Sequence, residues 1–120
     1  MVRIDSIHPK LFNVFQVTQI APDTFVGGVA GLDYIRIAPK SVSEIHRHNQ
    51  SDNVIYVIRG SAVAVLNGAE HEIVAGMRVV IPKAVTHGFR TGDEELEFVS
   101  IQIPPILDEK NNLFDREILG

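Results

Sequence analysis

The chain has 120 residues, 45% of them hydrophobic, with a formal net charge of -4 and no cysteine. That length fits one ordinary domain, the mix of apolar and charged residues excludes a disordered chain, and the lack of a Lys/Arg cluster excludes a nucleic-acid surface. Without cysteine there is neither a disulfide framework nor a thiolate nucleophile, which fits a reducing cytoplasm.

Taken in chain order, the opening MVRIDSIHPK interrupts its apolar residues with charge and proline, unlike a signal peptide. Nothing later approaches the roughly 18 apolar residues of a membrane span, so the expected partner is a small molecule, not a membrane or a nucleic acid. Residues 1–30 are expected to form an N-terminal strand extension. Short apolar runs separated by turn residues then predict strands over 12–19, 33–38, 53–59, 61–66, 71–75, 77–82 and 96–103. Asn67-Gly68 predicts a tight type I′ hairpin, because both central residues of that turn need positive φ. Pro104-Pro105 should end the last strand and release a polar tail, 104–120, either docked or mobile. The whole predicts an all-β sandwich or barrel of one domain, 1–120.

The chemistry is concentrated in EIHRHNQSDNVIYVIRG, residues 44–60. His46 and His48 are two apart, so on an extended strand both side chains reach one face. A third imidazole, His87, follows the apolar run in GMRVVIPKAVTHGF. His8, beside a proline, and His71, in a charged hairpin, read as ordinary surface or core residues. The spacing is His46-x-His48, four residues, Asn53, six residues, Gly60, and then Gly76, five residues, Pro82, four residues, His87. This resembles the two motifs of the cupin superfamily, G-x5-H-x-H-x4-E-x6-G over about 40–60 and G-x5-P-x-G-x2-H-x3-N over about 76–91. Four positions depart from the pattern. Lys40, Ala84 and Thr91 replace residues at turns and edges, and Asn53 replaces the family's glutamate ligand.

The resemblance implies a double-stranded β-helix, a jelly-roll cupin barrel, in which His46, His48 and His87 converge on one divalent transition metal per chain. Iron is the first expectation, with nickel, manganese, zinc or copper as alternatives, since neutral imidazole suits all of them. Asn53 offers a neutral amide oxygen, as a weak ligand or as a hydrogen-bond partner near the metal. Three neutral ligands leave the ion near +2 and favour an anionic or chelating substrate. Asp52 is a rival ligand, but its side chain should point to the opposite face.

Alternation places Ile55, Val57, Val85 and Phe89 inside, with Leu96, Phe98, Ser100 and Gln102 from the last strand. Phe89, Ser100 and Gln102 are therefore candidate substrate contacts, an apolar lining with a few polar exceptions. Glu44 shares the parity of His46 and is a candidate base, and Arg36 a candidate holder of a substrate carboxylate. Val54, Tyr56 and Ile58, with Val99, Ile101 and Ile103, make the outer faces apolar too, which predicts a covering homodimer partner. Three functions follow. The first is a three-histidine Fe(II) dioxygenase or other oxidoreductase, HRHNQS being similar to the gentisate-type segment. The second is a non-catalytic binding barrel, and the third a redox-inactive metal lyase or isomerase.

Overall fold

The computed structural model describes residue 2 and residues 4–21, 29–108 and 113–119, and among these there is no helix. A six-stranded antiparallel sheet has the order β1 (Lys10–Phe12), β2 (Phe15–Ala21), β3 (Gly31–Ile37), β10 (Leu96–Ile103), β5 (Asp52–Arg59), β8 (Arg78–Ile81). A five-stranded sheet has the order β13 (Glu117–Ile118), β4 (His46–Arg47), β9 (His87–Thr91), β6 (Ser61–Leu66), β7 (Ala69–Val74). The non-sequential neighbours give the jelly roll its crossovers. The inner faces meet in one core that includes Ile37, Val57, Ala64, Leu96 and Phe98, each at most 2% exposed. Alternation of buried and exposed residues along β5 and β10 produces it.

The strands at 61–66 and 96–103 stand where the sequence places them. Asn67 (φ 50) and Gly68 (φ 82) make the expected hairpin turn between β6 and β7. The run at 12–19 differs, because the chain reverses at Asn13-Val14 and makes β1 and β2 into a hairpin. Asparagine tolerates the left-handed conformation found at Asn13 (φ 53), and its Oδ1 accepts a hydrogen bond from Glu44 N at 3.0 Å. Within the expected N-terminal extension, residues 22–28 lie outside the described residues. The two-residue β4 is too short to leave a pattern in sequence.

Two departures from the resembling motifs fall where glycine would sit without strain. Lys40 has φ 54 and Ala84 has φ 69. The backbone keeps the turn that glycine favours, at about 1–2 kcal/mol for each left-handed L-residue. Gly60 has no such latitude, since a Cβ there would lie 1.9 Å from Glu95 O.

The described residues after Pro104-Pro105, 106–108 and 113–119, are docked. The two-stranded sheet of β11 (Leu107–Asp108) and β12 (Leu113–Phe114) precedes β13, which pairs with β4 in the register Glu117↔Arg47 and Ile118↔His46. On the outer face of the larger sheet Tyr56, Ile58, Val80, Ile101 and Ile103 are all exposed.

Candidate metal centre

Register builds the site. Along β3 the inward residues run Ile37, Ile35, Asp33; along β5, Val57, Ile55, Asn53; along β10, Leu96, Phe98, Ser100, Gln102. Antiparallel pairing sets Ser100 opposite both Asp33 and Ile55, and Gln102 opposite Asn53. Three adjacent strands thus turn from apolar to polar at the same end of the barrel. The facing sheet brings the histidines to that end, His46 on β4 being the direct cross-strand partner of His87 on β9.

The three imidazoles are buried, and their candidate ligand atoms all lie within 4.8 Å of one another. Three nitrogens sharing one ion at about 2.1 Å lie roughly 3.0–3.6 Å apart, so ring movements of about an ångström close the set on a metal. Ring centroids are 4.3 Å apart for His46 and His87, 5.1 Å for His46 and His48, and 5.0 Å for His48 and His87.

Each Nδ1 faces a backbone carbonyl: Glu44 O at 3.4 Å from His46, Asp115 O at 2.6 Å from His48, and Val85 O at 3.0 Å from His87. A carbonyl can only accept, so Nδ1 carries the proton in each ring and Nε2 is left with its lone pair. Carbonyls in this position fix tautomer and orientation for a ligating histidine. Burial is the main force that keeps the rings neutral. It pushes His46 down to about 3, helped by His87 and His48, and His87 down to about 4. It also lowers His48, against the opposing Asp115 carbonyl. Three neutral, oriented lone-pair donors fit a borderline divalent transition metal.

The cavity these rings face is lined by five of the chain's six phenylalanines: Phe12, Phe15, Phe89, Phe98 and Phe114. Its volume is about 70 Å³, room for on the order of five waters. Phe89, Ser100 and Gln102 line it as the alternation requires, together with Asn53, Asp33 and Arg116. Val85 packs at the edge of the core and is not part of the lining.

Asn53 is buried, and its Oδ1 accepts a hydrogen bond from Ser100 Oγ at 2.7 Å. The oxygen that would ligate a metal is therefore engaged within the polar wall. Asp52 points outward, accepting from Lys83 N at 2.9 Å. Glu44 does not line the cavity, because its carboxylate forms an ion pair with Arg116 Nη1 at 2.7 Å. Its candidacy as a base is corrected on that ground. Arg36 is likewise corrected: β3 turns it outward, where it is paired with Glu95 at 2.8 Å and 47% exposed.

The cation that does line the cavity is Arg116, 4.5 Å from the Phe114 ring centre. No motif singled it out, since only tertiary docking brings the tail here. Asp115 holds that docking, its carboxylate accepting from the N–H groups of Asn49, Gln50 and Ser51 at 2.8, 2.9 and 3.1 Å. Asp33 also escaped the sequence reading, although a charged Arg36 facing out would have set the parity that turns Asp33, Ile35 and Ile37 inward.

The Cupin domain family profile matches residues 33–102, more than half of the chain. Protein SchB of Streptomyces halstedii is 29% identical over 102 residues, covering 82% of this chain and 73% of SchB. Solved structures with the same fold include two of similar size. A predicted oxalate decarboxylase from Thermotoga maritima has a TM-score of 0.75 at 20% identity, covering 87% of this chain and 98% of that one. The polyketide cyclase RemF of Streptomyces resistomycificus has a TM-score of 0.72 at 21% identity, covering 86% and 79%. Two facing antiparallel sheets, three histidines gathered at the mouth and a family match across both motifs make one statement, that this chain belongs to the cupin family.

Proposed function

We propose that the chain is a divalent-metal-dependent enzyme acting on a small oxygen-bearing substrate with an apolar or aromatic body and an anionic or chelating head. One observation carries this reading: all three histidine Nδ1 atoms are committed to backbone carbonyls, which leaves three neutral Nε2 donors at a cavity. A metal bound by His46, His48 and His87 would act there as a Lewis acid toward a substrate oxygen. The phenylalanine walls hold a flat apolar body and exclude water. Ser100, Gln102 and Asn53 present an ordered polar wall, and the Arg116 guanidinium, ion-paired with Glu44, lies beside it.

Of the possible chemistries we favour redox-neutral proton transfer, of the lyase, isomerase or cyclase kind. A buried carboxylate, Asp33, shares the cavity, and proton transfer needs such a group. Fe(II) dioxygenase or oxidoreductase chemistry is the second reading, supported by the same three-histidine donor set.

Elemental analysis of protein purified without added metal should give one transition-metal equivalent per chain, reduced to background by His87→Ala. Absence of stoichiometric metal would refute the proposal. Loading with Fe(II) without oxygen uptake on catechols, diketones, thiols and 2-oxo acids supports the redox-neutral reading, and coupled uptake supports the dioxygenase. We also propose that a second copy covers the exposed Tyr56, Ile58, Ile101 and Ile103 stripe. Sedimentation should then give a dimer that Ile101→Glu dissociates.

A further inference from the structure

Asp33 is 7% exposed and lies on the wall of the metal cavity. Its hydrogen bond comes from a neutral donor, Gln102 Nε2, at 3.0 Å from Oδ2. That amide is itself held in place. Gln102 Nε2 also donates to Ser100 Oγ at 2.7 Å, and Ser100 Oγ donates to Asn53 Oδ1 at 2.7 Å. On the other side of the Gln102 amide, its Oε1 lies 2.5 Å from where a Cβ on Gly31 would be, so a side chain there would push the amide aside. Four residues on three strands thus form one connected network, in which the Gln102 amide donates to Asp33 on one side and to Ser100 on the other, and Ser100 donates to Asn53.

Such an arrangement is more than a buried acid needs. The elements packed against Asp33 offer it Ser100 and Gln102 from β10 and Gln19 from β2, all uncharged. The titratable and charged groups that share its cavity are the three histidines and Arg116. Arg116 is occupied by Glu44. Burial therefore governs the carboxyl and raises it to about 6, against the smaller effect of the Gln102 amide, where a general base is effective near neutral pH.

We infer that Asp33 is the acid–base residue of this site, and that the substrate is a carbon acid, a small carbonyl compound with a removable hydrogen on the adjacent carbon. This rests on the metal-enzyme reading above. In the step, the C–H bond breaks and its proton forms an O–H bond on Asp33. The C–H electron pair becomes the new C=C bond, and the carbonyl π pair moves to oxygen. Return of a proton to the same carbon restores the ketone, so the partial reaction is hydrogen exchange with no oxidant or reductant. Oδ2 accepts from Gln102, so the assignment gives the transferred proton to Oδ1.

The experiment is deuterium exchange at C3 of pyruvate and phenylpyruvate in D2O, followed by NMR with the zinc-loaded protein. Metal content and thermal unfolding of every variant are measured alongside. Wild type should exchange faster than buffer, with a rate that rises with pH as Asp33 ionises and then levels off. Asp33→Asn should lose about 10²–10⁴-fold in rate while keeping its metal and its fold. Gln102→Leu, which removes the hydrogen bond that favours the ionised form, should move the midpoint of the pH profile upward. A merely structural Asp33 would give no such displacement. Equal exchange by wild type and Asp33→Asn, an unmoved midpoint in Gln102→Leu, or no exchange by the metal-loaded wild type each overturns the assignment. Failure of the metal reading is separate, because it appears in the metal content.

Discussion

Replacing Asp33 by Asn should make the metal-free protein more stable, and more so at higher pH. The carboxyl stands at about 6 in the fold against an ordinary 3.8, with burial as the main cause. A pKa raised by folding favours the protonated carboxyl in the native state. Its stabilising effect is thus complete below pH 3.8 and lost as pH rises through 6. The shift corresponds to about 3 kcal/mol by pH 8, of which about half has been lost by pH 5. Asparagine carries no charge to bury, and turning its oxygen to Gln102 preserves that hydrogen bond. Allowing for its less favourable second group, we expect a gain of about 1–3 kcal/mol at pH 8, or roughly 4–12 °C in Tm for a chain of this size. The three histidines titrate in the opposite sense, destabilising the fold as pH falls toward their lowered values. Both proteins share them, so the difference between the two unfolding curves isolates Asp33. Thermal unfolding of chelator-treated wild type and variant at pH 4, 5, 6 and 8 measures it. A gap that is absent at pH 8, or equal at every pH, would refute the account of a buried carboxylate under desolvation.

Metal retention should be insensitive to acid over an unusual range. Ordinary imidazoles begin to compete for protons near pH 6.5, but His46 at about 3 and His87 at about 4 stay neutral well below that, so occupancy in dialysed protein should hold to about pH 5. Release centred near pH 6 would show that the rings are not buried. Asp115→Ala removes three charge-assisted hydrogen bonds from the loop after His48 and loosens the carbonyl that orients its ring. Chelator competition should show metal affinity reduced about 10–100-fold, and an unchanged affinity would mean that the tail does not support the site. Ala84→Gly relieves a left-handed φ of 69 and, after the entropy of glycine is set against the strain, should raise stability by about 0.5–1 kcal/mol in denaturant unfolding.

Sequence alone determined the local and the inward-facing. Period-two alternation of Leu96, Phe98, Ser100 and Gln102 told which side chains enter the barrel, and all four are at most 2% exposed. The i, i+2 spacing of His46 and His48 needs only strand geometry, and Asn67-Gly68 needs only the turn. What the sequence could not decide is which strands lie side by side and in what register, because that depends on contacts between residues far apart in the chain. Only pairing of β10 with both β3 and β5 makes Asp33, Asn53, Ser100 and Gln102 one connected wall. DYIRIA fitted a strand of either parity until Arg36 was seen outside. The tail had too little apolar content to announce a strand, yet Asp115 supplies acceptors that the loop after His48 lacks, and Arg116 finds Glu44. Those partners lie more than sixty residues away, and such distances are closed by the tertiary fold, not by any local propensity.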